Sequence, residues 1–101
     1  MFVKVYQYHV KEDKEALFLD IQEQVVAIYK KHVSCEVMFL KSMSHKTMWA
    51  EISTYDSEDM YQQGIQRINE EPEIHSLFKR FEACLASDET VIREQNYIRK
   101  L

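Results

Sequence analysis

One glycine and one proline in 101 residues leave little material for loops or for tight backbone approaches. A phosphate-cradling loop needs several glycines, so the common nucleotide-binding motifs are excluded. Cysteine is scarce too: Cys35 and Cys84 form no Cys-x-x-Cys pair, and both fall inside predicted elements. They read as buried free thiols of a reducing cytoplasm rather than as a disulfide. The four histidines (His9, His32, His45 and His75) show no short paired spacing, and no His-Glu-x-x-His occurs, so no metal site is expected. Basic residues are outnumbered, 13 Lys and Arg against 17 Asp and Glu, for a formal net charge of −4. That balance lacks the basic face that nucleic-acid phosphates demand. No apolar run approaches the roughly 18 residues that would span a bilayer. The opening Met-Phe-Val-Lys-Val-Tyr reads as a strand, not as a secretory leader, and no export is expected.

What remains is ordinary for one soluble domain: 46% hydrophobic and 30% charged residues over residues 1–101. Phe2 to Val10 alternates with period two. Val3, Val5, Gln7 and His9 share one side, and Phe2, Lys4, Tyr6, Tyr8 and Val10 the other. A polar turn follows in which Asp13 is the expected N-cap. A helix then runs to about His32, with an apolar stripe of Leu17, Ile21, Val25 and Ile28 widened by Phe18 and Tyr29. Val33–Lys41 and Thr47–Tyr55 read as strands joined by the polar segment 42–46, an antiparallel hairpin. Asp56 or Ser57 can cap the next helix, which presents Met60, Tyr61, Ile65 and Ile68. Pro72 cannot sit inside a helix but suits a first turn, so it should start a second segment carrying Ile74, Leu77, Phe78, Phe81 and Leu85. The last strand spans about Glu89 to Ile98. The acidic run Glu70-Glu71-Pro72-Glu73 reads as a solvated corner.

The order β-α-β-β-α-β with right-handed crossovers gives an α+β, ferredoxin-like fold: a four-stranded antiparallel sheet with the helices on one face. The other sheet face is too apolar to stay wet, and a second copy packed face to face would cover it. A homodimer enclosing a cavity is therefore expected.

Three stretches carry a family resemblance across nearly the whole chain. They are Tyr8-His9-Val10-Lys11 running into Lys14-Glu15-Ala16-Leu17-Phe18, Ala50-Glu51-Ile52 leading to Asp56-Ser57-Glu58-Asp59, and Glu71-Pro72-Glu73-Ile74-His75-Ser76-Leu77-Phe78. In these the sequence resembles the dimeric α+β barrel proteins, and especially the antibiotic biosynthesis monooxygenase-like family. The resemblance implies a single such domain and a cytoplasmic homodimer. It also implies a monooxygenase-like activity, without cofactor, on a small aromatic or apolar molecule; the alternative is a non-catalytic homodimer that binds a small ligand or is structural. The haem-degrading branch of that family carries an Asn on the first strand and a Trp and a His on the second helix. Here Gln7 and Gly64 stand at the first two places and only His75 roughly keeps the third, so haem binding is the minor reading.

Strand alternation supplies the candidate site. If Met48, Ala50 and Ile52 meet the helices, then Trp49, Glu51, Ser53 and Tyr55 meet the cavity. For the first strand composition leaves the side open, and the resemblance implies that Val5, Gln7 and His9 face the cavity. Glu51 and His9 would then form an acid/base pair in an apolar pocket, lined by Gln7, Val5, Trp49 and Tyr55. The plainer reading of Glu51 is a pair with a strand neighbour such as Arg93. His75 is read either as a third acid/base or ligating group or as a partly exposed residue beside the barrel mouth. Tyr6, Tyr8 and Trp49 read as core or interface.

Overall fold

In the computed structural model, which describes residues 1–86 and 91–101, four strands and three α-helices follow the expected order. Strand β1 is Phe2–His9, helix α1 is Glu15–His32, and β2 and β3 are Cys35–Lys41 and Met48–Tyr55. Helices α2 (Glu58–Glu70) and α3 (Pro72–Ala83) lead to β4, Arg93–Ile98. The strands form one antiparallel sheet in the order β2-β3-β1-β4, the ferredoxin-like arrangement. Residues 89 and 90, the expected start of the last strand, lie outside the described residues.

The ends of the elements follow from local chemistry. Asp13 does not cap α1; it sits within a short 3₁₀ turn, Glu12–Lys14, and the helix starts without a side-chain cap. Ser57 does cap α2, its Oγ accepting from the Met60 N–H at 3.1 Å. Glu71 separates α2 from α3 with an extended backbone (φ −81°, ψ 119°), as expected for a residue whose α conformation clashes with the following proline ring. The acidic corner is more than solvated surface: Glu71 accepts from Lys31 Nζ at 2.9 Å and lies 2.6 Å from His32 Nε2. These partners, Lys31 first, hold its carboxyl below the usual range. They tie the helix break to the end of α1.

Register fixes which side chains share a face. Across β2, β3, β1 and β4 run the rows Phe39–Glu51–Tyr6–Glu94 and Val37–Ser53–Lys4–Asn96, both on the helix side. Phe2, Tyr8, Trp49 and Tyr55 continue that side and are buried with Phe18, Ile21 and Ile28 of α1, Ile68 of α2, and Ile74, Leu77 and Phe81 of α3. The buried stripe of α1 is rotated from the expected one: Leu17 is exposed, while Phe18, Ile21, Gln22 and Ile28 are buried. The opposite face carries Met38–Ile52–Val5–Gln95 and Leu40–Ala50–Gln7–Arg93, and none of the described helices covers it. Met38 and Leu40 are about half exposed there.

The expected orientation of β3 is therefore reversed. The Trp49, Glu51, Ser53 and Tyr55 side meets the helices, and the Met48, Ala50 and Ile52 side is the uncovered one. The bulky aromatic set fills the deep space under the helices, and the smaller aliphatic set makes a flat sheet face. Cys35 and Cys84 are buried free thiols. Among the described residues no helix is long and apolar enough to cross a membrane.

Candidate functional site

The cavity lies within one chain, between the sheet and the helices, and not in a space enclosed by two sheets. It measures about 420 Å³, within the range of small-molecule pockets. Its floor is the cross-sheet row Phe39, Glu51, Tyr6 and Glu94, extended by Tyr8 and Tyr55. Gln22, Val25, Val26 and Tyr29 of α1 and Ile74, Phe78 and Phe81 of α3 form its walls. Phe78, half exposed, is the most exposed apolar residue of that lining.

Glu51 is the polar centre of the floor. The Tyr8 hydroxyl donates to its Oε1 at 2.8 Å. Burial pushes the Glu51 carboxyl up, and the bond from Tyr8 offsets only part of that rise. The phenols of Tyr6, Tyr8, Tyr29 and Tyr55 are all pushed up, chiefly by burial, and stay neutral donors at any ordinary pH. A carboxyl poised above its usual range, inside an aromatic enclosure, can take a proton from a bound hydroxyl or give one to a bound oxygen.

A second polar group lies beside the floor. Lys4 is only 4% exposed, with its Nζ 3.0 Å from Glu94 Oε2 and 2.9 Å from Asn96 Oδ1. The ammonium also sits 4.9 Å from the Tyr61 ring centre and within 6 Å of Phe2 and Tyr6, a cation–π arrangement. Lys4 thereby fixes Glu94 at the edge of the cavity.

The sequence-derived residues divide into two groups. Glu51 and Tyr55 line the cavity. Trp49 is on the correct side but packs into the core, its ring 4.9 Å from that of Phe18, and does not reach the cavity. Val5, Gln7 and His9 lie on the opposite face, in register with Ile52, Ala50 and Met48. The expected Glu51–His9 pair is thus not formed, because strand alternation puts the two on different sides; His9 Nδ1 lies 2.8 Å from Thr47 Oγ1 instead. The alternative Glu51–Arg93 pair fails for the same reason, since Arg93 is in register with Gln7. His75 is exposed, and its Nε2 lies 2.8 Å from the Asn69 carbonyl oxygen, at the end of α2 and outside the cavity lining.

Haem ligation through His75 does not fit this geometry. Gly64, at the place of the haem branch's Trp, has no room for a side chain: a Cβ there would lie 2.7 Å from Val33 Cβ. Among the described residues no three His, Cys, Asp or Glu side chains gather as a metal site.

Tyr6, Tyr8 and Tyr29 belong to the cavity although their sequence pattern reads as core. Gln22 left a clearer trace, a polar residue between Phe18, Ile21 and Val25 on the buried stripe of α1. So did Lys4, which alternates with Phe2, Tyr6 and Tyr8 on one side of β1.

No protein-family model matches the chain, and no curated protein matches it by sequence. Solved structures do match. A NIPSNAP domain protein from Burkholderia xenovorans superposes with a TM-score of 0.76 at 16% identity, covering 99% of this chain and 95% of that one. SnoaB, a cofactor-independent oxygenase from Streptomyces nogalater, matches with a TM-score of 0.73 at 11% identity, over 99% and 93% of the two chains. A protein from Caulobacter crescentus, provisionally assigned as an antibiotic biosynthesis monooxygenase, matches with a TM-score of 0.72 at 15% identity, over 97% and 90%. These likenesses show a shared fold: the chain has the α+β fold of these three proteins.

Proposed function

We propose that the protein binds a small hydroxylated aromatic molecule in the cavity and promotes its oxygenation by dioxygen without a cofactor, with Glu51 as the base. The observation that carries this reading is a partly buried carboxyl of raised pKa, bonded to Tyr8, on the floor of an aromatic-walled cavity. A raised pKa makes Glu51 a stronger base than an exposed carboxylate, closer to what proton abstraction near neutral pH requires. The step balances without help from the protein's own redox groups. Glu51 takes the acidic proton, and the electron-rich anion passes electrons to dioxygen. At a CH₂ carbon one oxygen atom ends as the product carbonyl and the other leaves as water, the proton returning from Glu51. Tyr8 steadies the carboxylate while it is charged. The likeness to SnoaB supports the fold in which such chemistry is housed, and no more than that.

Oxygen uptake with a panel of hydroxylated aromatics tests the reading. Glu51→Gln should lower any measured rate by a factor of roughly 10² or more, the usual contribution of a positioned base, while His9→Ala leaves it unchanged. Equal rates in wild type and Glu51→Gln would remove Glu51 from the mechanism. The second reading, ligand binding without turnover, is favoured by one observation: neither His9 nor His75 reaches the cavity, so Glu51 has no histidine partner there. Binding of the same aromatics with no oxygen uptake would select it.

The uncovered sheet face supports a homodimer in either case. Its central row Met38–Ile52–Val5 is apolar across three strands, and a second copy of that flat face would shield it.

A further inference from the structure

We propose that the cavity selects neutral aromatic ligands with two oxygen functions over carboxylated ones, the Gln22 amide reading the second oxygen. This rests on the reading of the cavity as a ligand pocket, but not on oxygenation.

Gln22 projects from α1 into the cavity wall and is only 5% exposed, yet it makes no hydrogen bond among the described residues. Here it replaces an apolar residue on a stripe that Phe18, Ile21 and Val25 otherwise fill. No side-chain nitrogen or oxygen that is itself buried lacks a partner among the described residues, so the unbonded Gln22 amide keeps some accessible surface, and the cavity it lines is where a ligand can meet it. A primary amide both donates and accepts, and can therefore pair with a hydroxyl or a carbonyl of a ligand.

The charge of the lining sets the rest. Glu51 and Glu94 line the cavity, and among the described lining residues there is no Lys or Arg. Lys4, buried beside the floor, is already engaged by Glu94 and Asn96. A carboxylated ligand would enter without a counter-ion and face two acidic groups, which costs binding free energy. A neutral ring with one hydroxyl at Glu51 and a second oxygen at Gln22 meets a donor or acceptor at both positions and aromatic surface between them.

Anaerobic calorimetric titration separates these claims, using 2-naphthol, 2,6- and 2,7-dihydroxynaphthalene and 6-hydroxy-2-naphthoate as probes. In the wild type at least one diol should bind about fivefold more tightly than 2-naphthol, the value of one net hydrogen bond. The naphthoate should bind roughly tenfold or more weakly than that diol. Gln22→Leu should erase the diol's advantage over 2-naphthol, with Gln22→Met as a second variant should Gln22→Leu fail to fold. A naphthoate that binds as tightly as the diols, an advantage that survives both substitutions, or no binding of any probe would overturn the proposal. Because oxygen is excluded, a failure of turnover in the uptake assay leaves this result untouched. Conversely, normal turnover with an indifferent Gln22 would sink only this inference.

Discussion

The Tyr8 hydroxyl reaches Glu51 Oε1 diagonally across two strands, at 2.8 Å. Tyr8 is in register with Trp49 and Glu51 with Tyr6, so the bond joins residues two positions out of register on the same sheet face. Side chains on this diagonal meet only when one of them is long, and a tyrosine spans it. The bond lets the carboxyl sit partly buried without leaving its Oε1 unpaired, and it opposes, without cancelling, the upward push of desolvation on the Glu51 pKa.

Glu51→Gln should stabilise the protein at pH 7. Folding raises the Glu51 pKa above its ordinary 4.5, so ionisation is harder in the folded state than in the unfolded one. The penalty is absent below the unfolded value, grows as pH rises toward the folded value and then levels off. Glutamine keeps an oxygen for Tyr8 and never ionises. Thermal melts should show the variant a few degrees above wild type at pH 7 and level with it near pH 4. An unchanged difference across that window would mean that Glu51 is not buried as described.

Gly64→Ala should destabilise the fold by up to about 2 kcal/mol. Alanine is the better helix former by about 1 kcal/mol, and Gly64 has an ordinary helical backbone, with no positive φ to accommodate. The added Cβ, however, would stand 2.7 Å from Cβ of the buried Val33, and overpacking of this kind costs about 1–3 kcal/mol. Urea unfolding of Gly64→Ala, and of the double variant with Val33→Ala, measures the coupling. The second substitution should cost less in the presence of the first than alone.

The fold was legible in the sequence because period-two and 3.6-residue patterns are strong here and Pro72 marks the helix restart. The site was legible only in part. Alternation correctly grouped Trp49, Glu51, Ser53 and Tyr55, but either face of a sheet this apolar can be buried, and alternation does not say which one the helices take. That single ambiguity displaced Val5, Gln7 and His9 from the cavity and put Glu51 opposite the wrong partner. The sum of aromatic volume was the available signal: Phe2, Tyr6 and Tyr8 on one side of β1, with Trp49 and Tyr55 of β3, need the deeper space under helices. Gln22 and Lys4 could be found only as polar interruptions of apolar faces, and such interruptions have no assigned role until the packing is seen.

Lys4→Met should loosen the edge strand β4 more than the core. The ammonium joins β1 to Glu94 and Asn96 of β4 and lies under the Tyr61 ring. Glu94 is about half exposed, so water can take over its charge when the lysine is lost. The global cost should therefore be about 1–2 kcal/mol, below that of breaking a fully buried pair. Hydrogen exchange should accelerate over residues 93–98 while the amides of β3 keep their protection. Uniform acceleration would assign Lys4 to the whole core instead.

Ile52→Lys should yield a folded single protomer. Ile52 lies between Val5 and Met38 in the middle of the sheet face that none of the described helices covers. A charge at that point would have to be buried against a second apolar sheet, at a cost that no carboxylate of its own row offsets: the row continues only to Gln95. On a lone protomer the same lysine extends into water with its stem over the sheet, so the fold itself loses little. Sedimentation at micromolar concentration should therefore show a dimer for the wild type and a monomer for Ile52→Lys, with matching circular dichroism. A wild type that sediments as one chain would leave the apolar face without a cover, and the homodimer would have to be abandoned. The cavity would stand regardless, because every residue that lines it comes from one chain.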